Sequence, residues 1–461
     1  MIQNLVLFIF ILLFGGCSDD KPLEKQGSSF ASTQDSEDNK AHTKSTINLN
    51  VKKHVSPKGI VFWHVNDPKA PVVSVVLSFK QGGVAYDPAS HVGVGDILAR
   101  MLLKGSHKRN EKQLREFLDD RGASIAFAAG LDTYEMFVTA LAEDFPDLVL
   151  VAEDLLKNPR LGADDLAIIK ERELAQIAMK RASSQYQLGK LIRKTLYADH
   201  PYGRLVFDTP EDIHRITSQD LVEKLHSLSQ TNVVATIVGN LSAEKAGEYL
   251  DRMVPFAHKR SSVSACDAWV IPEAVGSDPY IIPEEVPQCT VVGVMPGIPL
   301  KHKDALGLQI LMGILEKRLW KEVRERRGLA YVVNAYTVRQ EKSGNIRVLF
   351  STANHQVYEA LQVVKDVLHQ VHTQGITPDE LLEGVRRAQD SHVMGFTTTY
   401  DTARVLHGYR LQGKSKSYVN HRHDKLETLD LGTLQELSKK YIHPDRMHVF
   451  IHGSPGTKTG E

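Results

Sequence analysis

The alternation of strand-like and helix-like stretches predicts an α+β fold made of two homologous domains, each a mixed or antiparallel sheet covered by helices. Three observations predict it. Two strands share one ending: Val233 to Val238 runs into Gly239, and Met447 to His452 runs into Gly453. Each closes a stretch of strands interleaved with long helices, a repeat of domain size. Between the two stretches, Ser261 to Asp278 carries the Ser, Pro and Gly of a linker.

In the first copy, Gly59 to Val65 and Val72 to Phe79 are rich in β-branched and aromatic residues, and the second ends at the turn Gln81-Gly82-Gly83. Val94, Ile97, Leu98, Met101 and Leu102 then fall on the spacing i, i+3, i+4, i+7, i+8, and Gly105 follows as a stop. This is a short core helix with one wet face, on which Asp96 and Arg100 sit one turn apart. Taken alone, they are a solvated pair worth about 0.2–0.5 kcal/mol. A helix over Glu111 to Asp120 and strands over Ser124 to Ala129 and Tyr134 to Leu141 come next. Long helical patterns cover Phe145 to Leu156 and Ala163 to Tyr197, and a helix near Gln219 to Leu228 precedes the closing strand.

The second copy opens with the strand Cys289 to Met295 and the turn Pro296-Gly297. A long helix follows, with Leu308, Leu311, Leu315 and Leu319 on one face. Strands over Tyr331 to Thr337 and Asn345 to Ser351 lead to helices near Val357 to Thr373, Pro378 to Gly395, Tyr400 to Leu411 and Leu431 to Lys440. His421-Arg422-His423-Asp424 lies among basic neighbours and reads as a solvated loop, not a ligand set.

The chain has 461 residues and a formal net charge of zero, enough length for several cores and no basic footprint for nucleic acid. Leu5 to Phe14 is too short an apolar run to span a bilayer, and Gly15-Gly16-Cys17 follows it. This resembles a bacterial lipoprotein signal with Cys17 as the lipidated residue; the alternative is an ordinary cleaved signal with an incidental cysteine. Ser18 to about Asn48 is polar, cannot bury a core, and reads as a tether. The expected layout is a signal over 1–17, a tether over 18–48, domains over 49–260 and 281–455 around a linker over 261–280, and a tail over 456–461. Cys266 and Cys289 are the only cysteines of the body. They either pair or stand as unrelated thiols.

Met101-Leu102-Leu103-Lys104-Gly105-Ser106 resembles the run that follows the inverted zinc motif H-x-x-E-H in the pitrilysin (insulinase) metallopeptidases. Asp199-His200-Pro201-Tyr202-Gly203-Arg204, Thr231 to Asn240 and Gln288 to Gly297 resemble further family landmarks, in the family's order. The resemblance puts the two histidine ligands on Asp96 and Arg100, the general base on Ala99, and a third, glutamate ligand at or near Gln176, with Glu171 and Glu173 close by. A guanidinium that stays protonated cannot donate an electron pair to zinc, and no other H-x-x-E-H or H-E-x-x-H occurs in the chain. In the second copy, Arg324-Glu325-Arg326-Arg327-Gly328-Leu329-Ala330-Tyr331 resembles the family segment whose Arg and Tyr face the zinc across the cavity and stabilise a developing oxyanion. Taken singly, Arg324 complements a helix dipole and Tyr331 is an ordinary strand opener.

The resemblance therefore implies the zinc-free subunit of a bacterial two-subunit peptidase. No metal is expected on this chain, and zinc is expected on a homologous partner that carries H-x-x-E-H. Unfolded peptides are the expected substrate, and the expected location is the periplasmic side of the cell envelope, held by a lipid anchor in the membrane. The alternative is a peptide-binding or scaffolding protein of the same fold with no proteolytic role. An autonomous peptidase would need a metal site that the sequence does not offer.

Overall fold

The computed structural model describes residues 47–229, 232–255, 266–274 and 278–456. The signal segment, Cys17, most of the tether and much of the linker lie outside the described residues. In the first half the strands are β1 (Lys52–Val55), β2 (Val61–Asn66), β3 (Val72–Lys80), β4 (Ser124–Ala129), β5 (Thr133–Leu141) and β6 (Val233–Gly239). The helices there are α1 (Val94–Leu102), α2 (Glu111–Asp120), α3 (Phe145–Lys157), α4 (Ala163–Arg181), α5 (Ser184–Tyr197), α6 (Pro210–Arg215), α7 (Ser218–Leu228) and α8 (Ala243–Met253). The second half has β7 (Tyr280–Ile282), β8 (Gln288–Pro296), β9 (Val332–Arg339), β10 (Gly344–Ala353) and β11 (His448–His452). Its helices are α9 (Ala305–Leu319), α10 (Val357–Gln374), α11 (Pro378–Met394), α12 (Thr399–Leu411), α13 (Tyr418–Glu427) and α14 (Leu431–Tyr441).

The first sheet has the order β1-β2-β6-β3-β5-β4 and the second β7-β11-β8-β10-β9. Set side by side, β2, β6, β3, β5, β4 correspond to β7, β11, β8, β10, β9. Both sheets are mixed: β2 with β6 and β7 with β11 run parallel, and the other neighbours run antiparallel. β3 is an almost unbroken apolar run because it lies inside its sheet with both faces covered. β4 and β9 are the corresponding edges.

Each sheet is roofed on one face by its own half's helices and on the other by a helix from the opposite half. Leu188, Ile192 and Leu196 of α5 pack with Val292, Val294 and Phe450 of the second sheet. In return Ala403 and Leu406 of α12 pack with Trp63, Val65, Val76 and Val238 of the first. Burying each such leucine or isoleucine is worth about 1.5–3 kcal/mol. Polar contacts fix the register of α12: Ser78 Oγ and His407 Nε2 lie 2.7 Å apart, and Arg410 donates to the backbone oxygens of Ala235 and Val61.

Two expectations from the sequence need correction, and one helix was not foreseen. The helical pattern over Ala163 to Tyr197 is two helices, because the Ser183 hydroxyl accepts from Tyr186 N and caps a new start. His421-Arg422-His423-Asp424 lies on α13, not in a loop. Tyr418, Val419, Arg422 and Leu426 form its inner stripe, with Arg422 buried and donating to Ala388 O and Gln309 Oε1. α8 has no counterpart in the sequence reading; its inner face consists of Ala246, Gly247, Leu250 and Met253, too slight an apolar stripe to stand out.

Candidate functional site

α1 is held from below by a buried ion pair. Lys224 Nζ on α7 lies 2.7 Å from both Asp87 Oδ1 and Gly82 O, and Asp87 Oδ2 accepts from Gly93 N at 2.9 Å. Burial pushes the Asp87 carboxyl up from the usual carboxylate range, and Lys224 opposes it. Arg204 of the His-Pro-Tyr-Gly-Arg turn donates to Asp87 O and Ala85 O, so that turn braces the loop leading into α1. Gly93 takes φ +98°, and a Cβ there would stand 2.5 Å from the Phe207 ring.

On the wet face of α1, the expected pair forms, and it has a third member. Arg100 Nη2 lies 3.3 Å from Asp96 Oδ2, and Arg100 Nε lies 2.8 Å from Glu173 Oε1 on α4. The Glu173 side chain is only 4% exposed, against 27% for both Arg100 and Asp96. Ala99 faces the core and brings no acid. Gln176 is one turn beyond Glu173, half-buried, with its Oε1 lacking a hydrogen-bond partner among the described residues. Arg100, Glu173 and Gln176 line one pocket of about 430 Å³ with Lys104, Glu111 and Arg172. The acid that meets Arg100 is thus Glu173, one of the neighbours of the expected Gln176.

This donor set does not fit a zinc ion. Both carboxylates are engaged by a cation, and neither imidazole of the motif is present. Among the described residues no group of three or more His, Cys, Asp or Glu is arranged to hold a metal.

The second constellation forms where α9 runs on into a π-helical turn, Trp320–Arg326, ended by Gly328 at φ +63°. Thr352 Oγ1 donates to Leu329 O and pins the exit. Tyr331, 73% exposed, immediately precedes β9. The Arg324 guanidinium carbon stands 4.4 Å from the centre of the Tyr331 ring, so the two predicted residues meet. Trp320, which the sequence did not single out, covers the guanidinium at 3.8 Å.

Residues 61–210 match the family model described as insulinase, peptidase family M16, and residues 215–388 match the model described as the peptidase M16 inactive domain. The chain belongs to the insulinase (M16) family. Its M16 relatives include an uncharacterized zinc protease of Streptomyces coelicolor, 26% identical over 67% of this chain and 69% of the relative. Another is a protein of Helicobacter pylori named a non-peptidase homolog, 20% identical over 86% of this chain and 94% of that one. The M16 fold is shown by a peptidase M16 inactive domain from Pseudomonas fluorescens, with TM-score 0.80 at 21% identity over 89% of this chain and 98% of that chain. It recurs in a periplasmic protease of Escherichia coli, with TM-score 0.76 at 15% identity over 95% of this chain and 49% of that one. No helix among the described residues is long and apolar enough to cross a membrane.

The remaining landmarks serve structure. Cys266 and Cys289 are both free and buried, each with its thiol pushed up by burial. Tyr202 donates to Asp132 at 2.5 Å and accepts from Lys342 N, tying the turn after α5 to the β9–β10 hairpin.

Proposed function

We propose that this chain is the zinc-free subunit of a two-chain M16 peptidase, supplying Arg324 and Tyr331 to a partner that carries H-x-x-E-H. The observation that carries the reading is a contrast of two arginines. Arg100 is neutralised by Asp96 and Glu173 where the family's metal would lie, whereas Arg324 has no acceptor among the described residues and sits beside an exposed phenol. The first arrangement holds a helix to its neighbour; the second keeps its donors for something outside the chain.

In the assembled enzyme the partner's metal would polarise the scissile carbonyl and activate water. This chain's guanidinium and phenol hydroxyl would donate to the peptide oxygen as it gains charge, orienting the peptide in the chamber between the subunits. Donors of this kind contribute about 10²–10³ in rate. The Cys17 lipid anchor and the tether would hold the subunit at the membrane facing the periplasm, a placement that suits the periplasmic relative.

The test is reconstitution with a co-purified H-x-x-E-H partner. Arg324→Ala and Tyr331→Phe are each expected to lower peptide turnover by about 10²-fold or more, and unchanged turnover removes the clamp. The second reading, a scaffolding or peptide-binding role, is favoured by the relative named a non-peptidase homolog. It predicts stable association with a partner or peptide and no cleavage in any combination.

A further inference from the structure

We infer that Trp320, Arg324 and Tyr331 together form a site for a peptide carboxylate, with Trp320 as the residue that holds the guanidinium flat. The inference rests on reading Arg324 and Tyr331 as peptide-facing; it goes beyond it in naming a carboxylate, which offers these donors the same negative oxygen as a peptide oxygen gaining charge, as the group this chain holds without its partner, and in adding the third wall.

The indole and the phenol ring lie 3.8 Å and 4.4 Å from the guanidinium carbon, so both rings attract the cation electrostatically. Arg324 is half-buried, yet its guanidinium makes no hydrogen bond or ion pair with any described residue. A guanidinium hemmed in by two rings has its N–H edge as its remaining contact surface. That edge is a planar fork of donors, and the group matching it in charge and spacing is a carboxylate taken bidentately.

The neighbours are disposed to leave the fork open. Glu325 accepts from the indole N–H of Trp320 at 3.2 Å, and Glu322 is engaged by Arg326, so neither adjacent acid quenches Arg324. Lys321 within the turn and Arg327 just past its end add positive charge. The π-helical winding contributes too, since such turns are rare and concentrate at functional sites. Val332, exposed beside Tyr331 on the edge strand β9, extends an apolar border along which the rest of a peptide can lie.

Two sources offer the same chemistry: an acidic side chain and a chain-terminal carboxylate. The test is calorimetric titration of the purified full chain, without partner, with three unstructured peptides of one length. One carries an internal Glu and an amidated C-terminus, one a Gln in its place and a free C-terminus, and one a Gln and an amide. At least one carboxylate peptide is expected to bind about tenfold or more tightly than the neutral one, and which one does so identifies the source. Arg324→Lys and Trp320→Leu should each erase that preference, while Trp320→Phe, which keeps a ring over the guanidinium, should retain most of it. Rescue by phenylalanine separates positioning from mere bulk, and thermal melts confirm that each variant is folded. Equal affinity for the three peptides, no binding of any, or an unchanged preference in Trp320→Leu overturns the inference. Because no partner is present, failure here leaves the reconstitution test of the two-chain enzyme standing, and failure there leaves this one standing.

Discussion

The Arg100 ion pairs can be tested by Arg100→Met, which keeps most of the side-chain bulk and removes the charge. Glu173 then loses a 2.8 Å charge-assisted contact while remaining almost sealed from water. Breaking a fully buried pair by removing one partner costs about 3–5 kcal/mol. Arg100 is itself 27% exposed, so water can partly replace it, and Asp96 is exposed enough to rehydrate. The expected loss is about 2–3 kcal/mol. Urea unfolding followed by circular dichroism measures it. In a double-mutant cycle with Glu173→Gln, a coupling of about 1–3 kcal/mol is expected, because the second change removes the charge that Arg100 engages. The same cycle with Gln176→Ala should be additive. A coupling to Glu173 within about 0.5 kcal/mol of zero would refute the claim that this acid and Arg100 hold α1 to α4.

Three further outcomes are expected. The triple change Asp96→His, Ala99→Glu, Arg100→His places imidazoles opposite Glu173, and is expected to bring zinc to near one equivalent in the purified protein, measured by atomic absorption; no gain over the parent chain would show that Glu173 is not placed to serve as the third ligand. Burial, with Arg410 nearby, pushes His407 down to about 3; its folded value lies below the unfolded one of about 6.5, so its contribution is intact above that pH and falls by about 1.4 kcal/mol per unit as the pH drops from there toward the folded value. His392 and His64, each lowered to about 4, act with the same sign, and His407→Asn should flatten the slope of melting temperature between pH 6.5 and 4, an unchanged slope refuting the assignment. Residues 47–260 expressed alone should be insoluble or molten by near-ultraviolet circular dichroism, since Trp63, Val65, Val76 and Val238 lose the cover of Ala403 and Leu406; a monomer with a sharp melt would contradict this.

What the sequence discloses and what it hides divide on physical lines. Spacing rules exposed α1, because five apolar residues on one face repeat at the helical period, and β3, because a strand buried on both faces is apolar throughout. α13 escaped because part of its inner stripe is Arg422, whose charge disguises a buried position. The Arg324–Tyr331 meeting was legible through family resemblance, but the stacking of Trp320 depends on a local winding that no linear period reports. Likewise Glu173, not Gln176, meets Arg100 because the rotation of α4 about its axis is set by packing of Leu166, Ile169 and Ile177, and a residue count cannot supply that angle.

The traded helices bear on how the polypeptide matures. The strands of the first sheet are all synthesised by Gly239, yet their second covering, Thr399–Leu411, emerges from the ribosome only after most of the other half has been made. Until then a greasy surface around Trp63 and Val76 has no part of the chain to lie against. Neither half can reach its final form as a separate event, and a truncation anywhere before that late helix strands everything upstream of it.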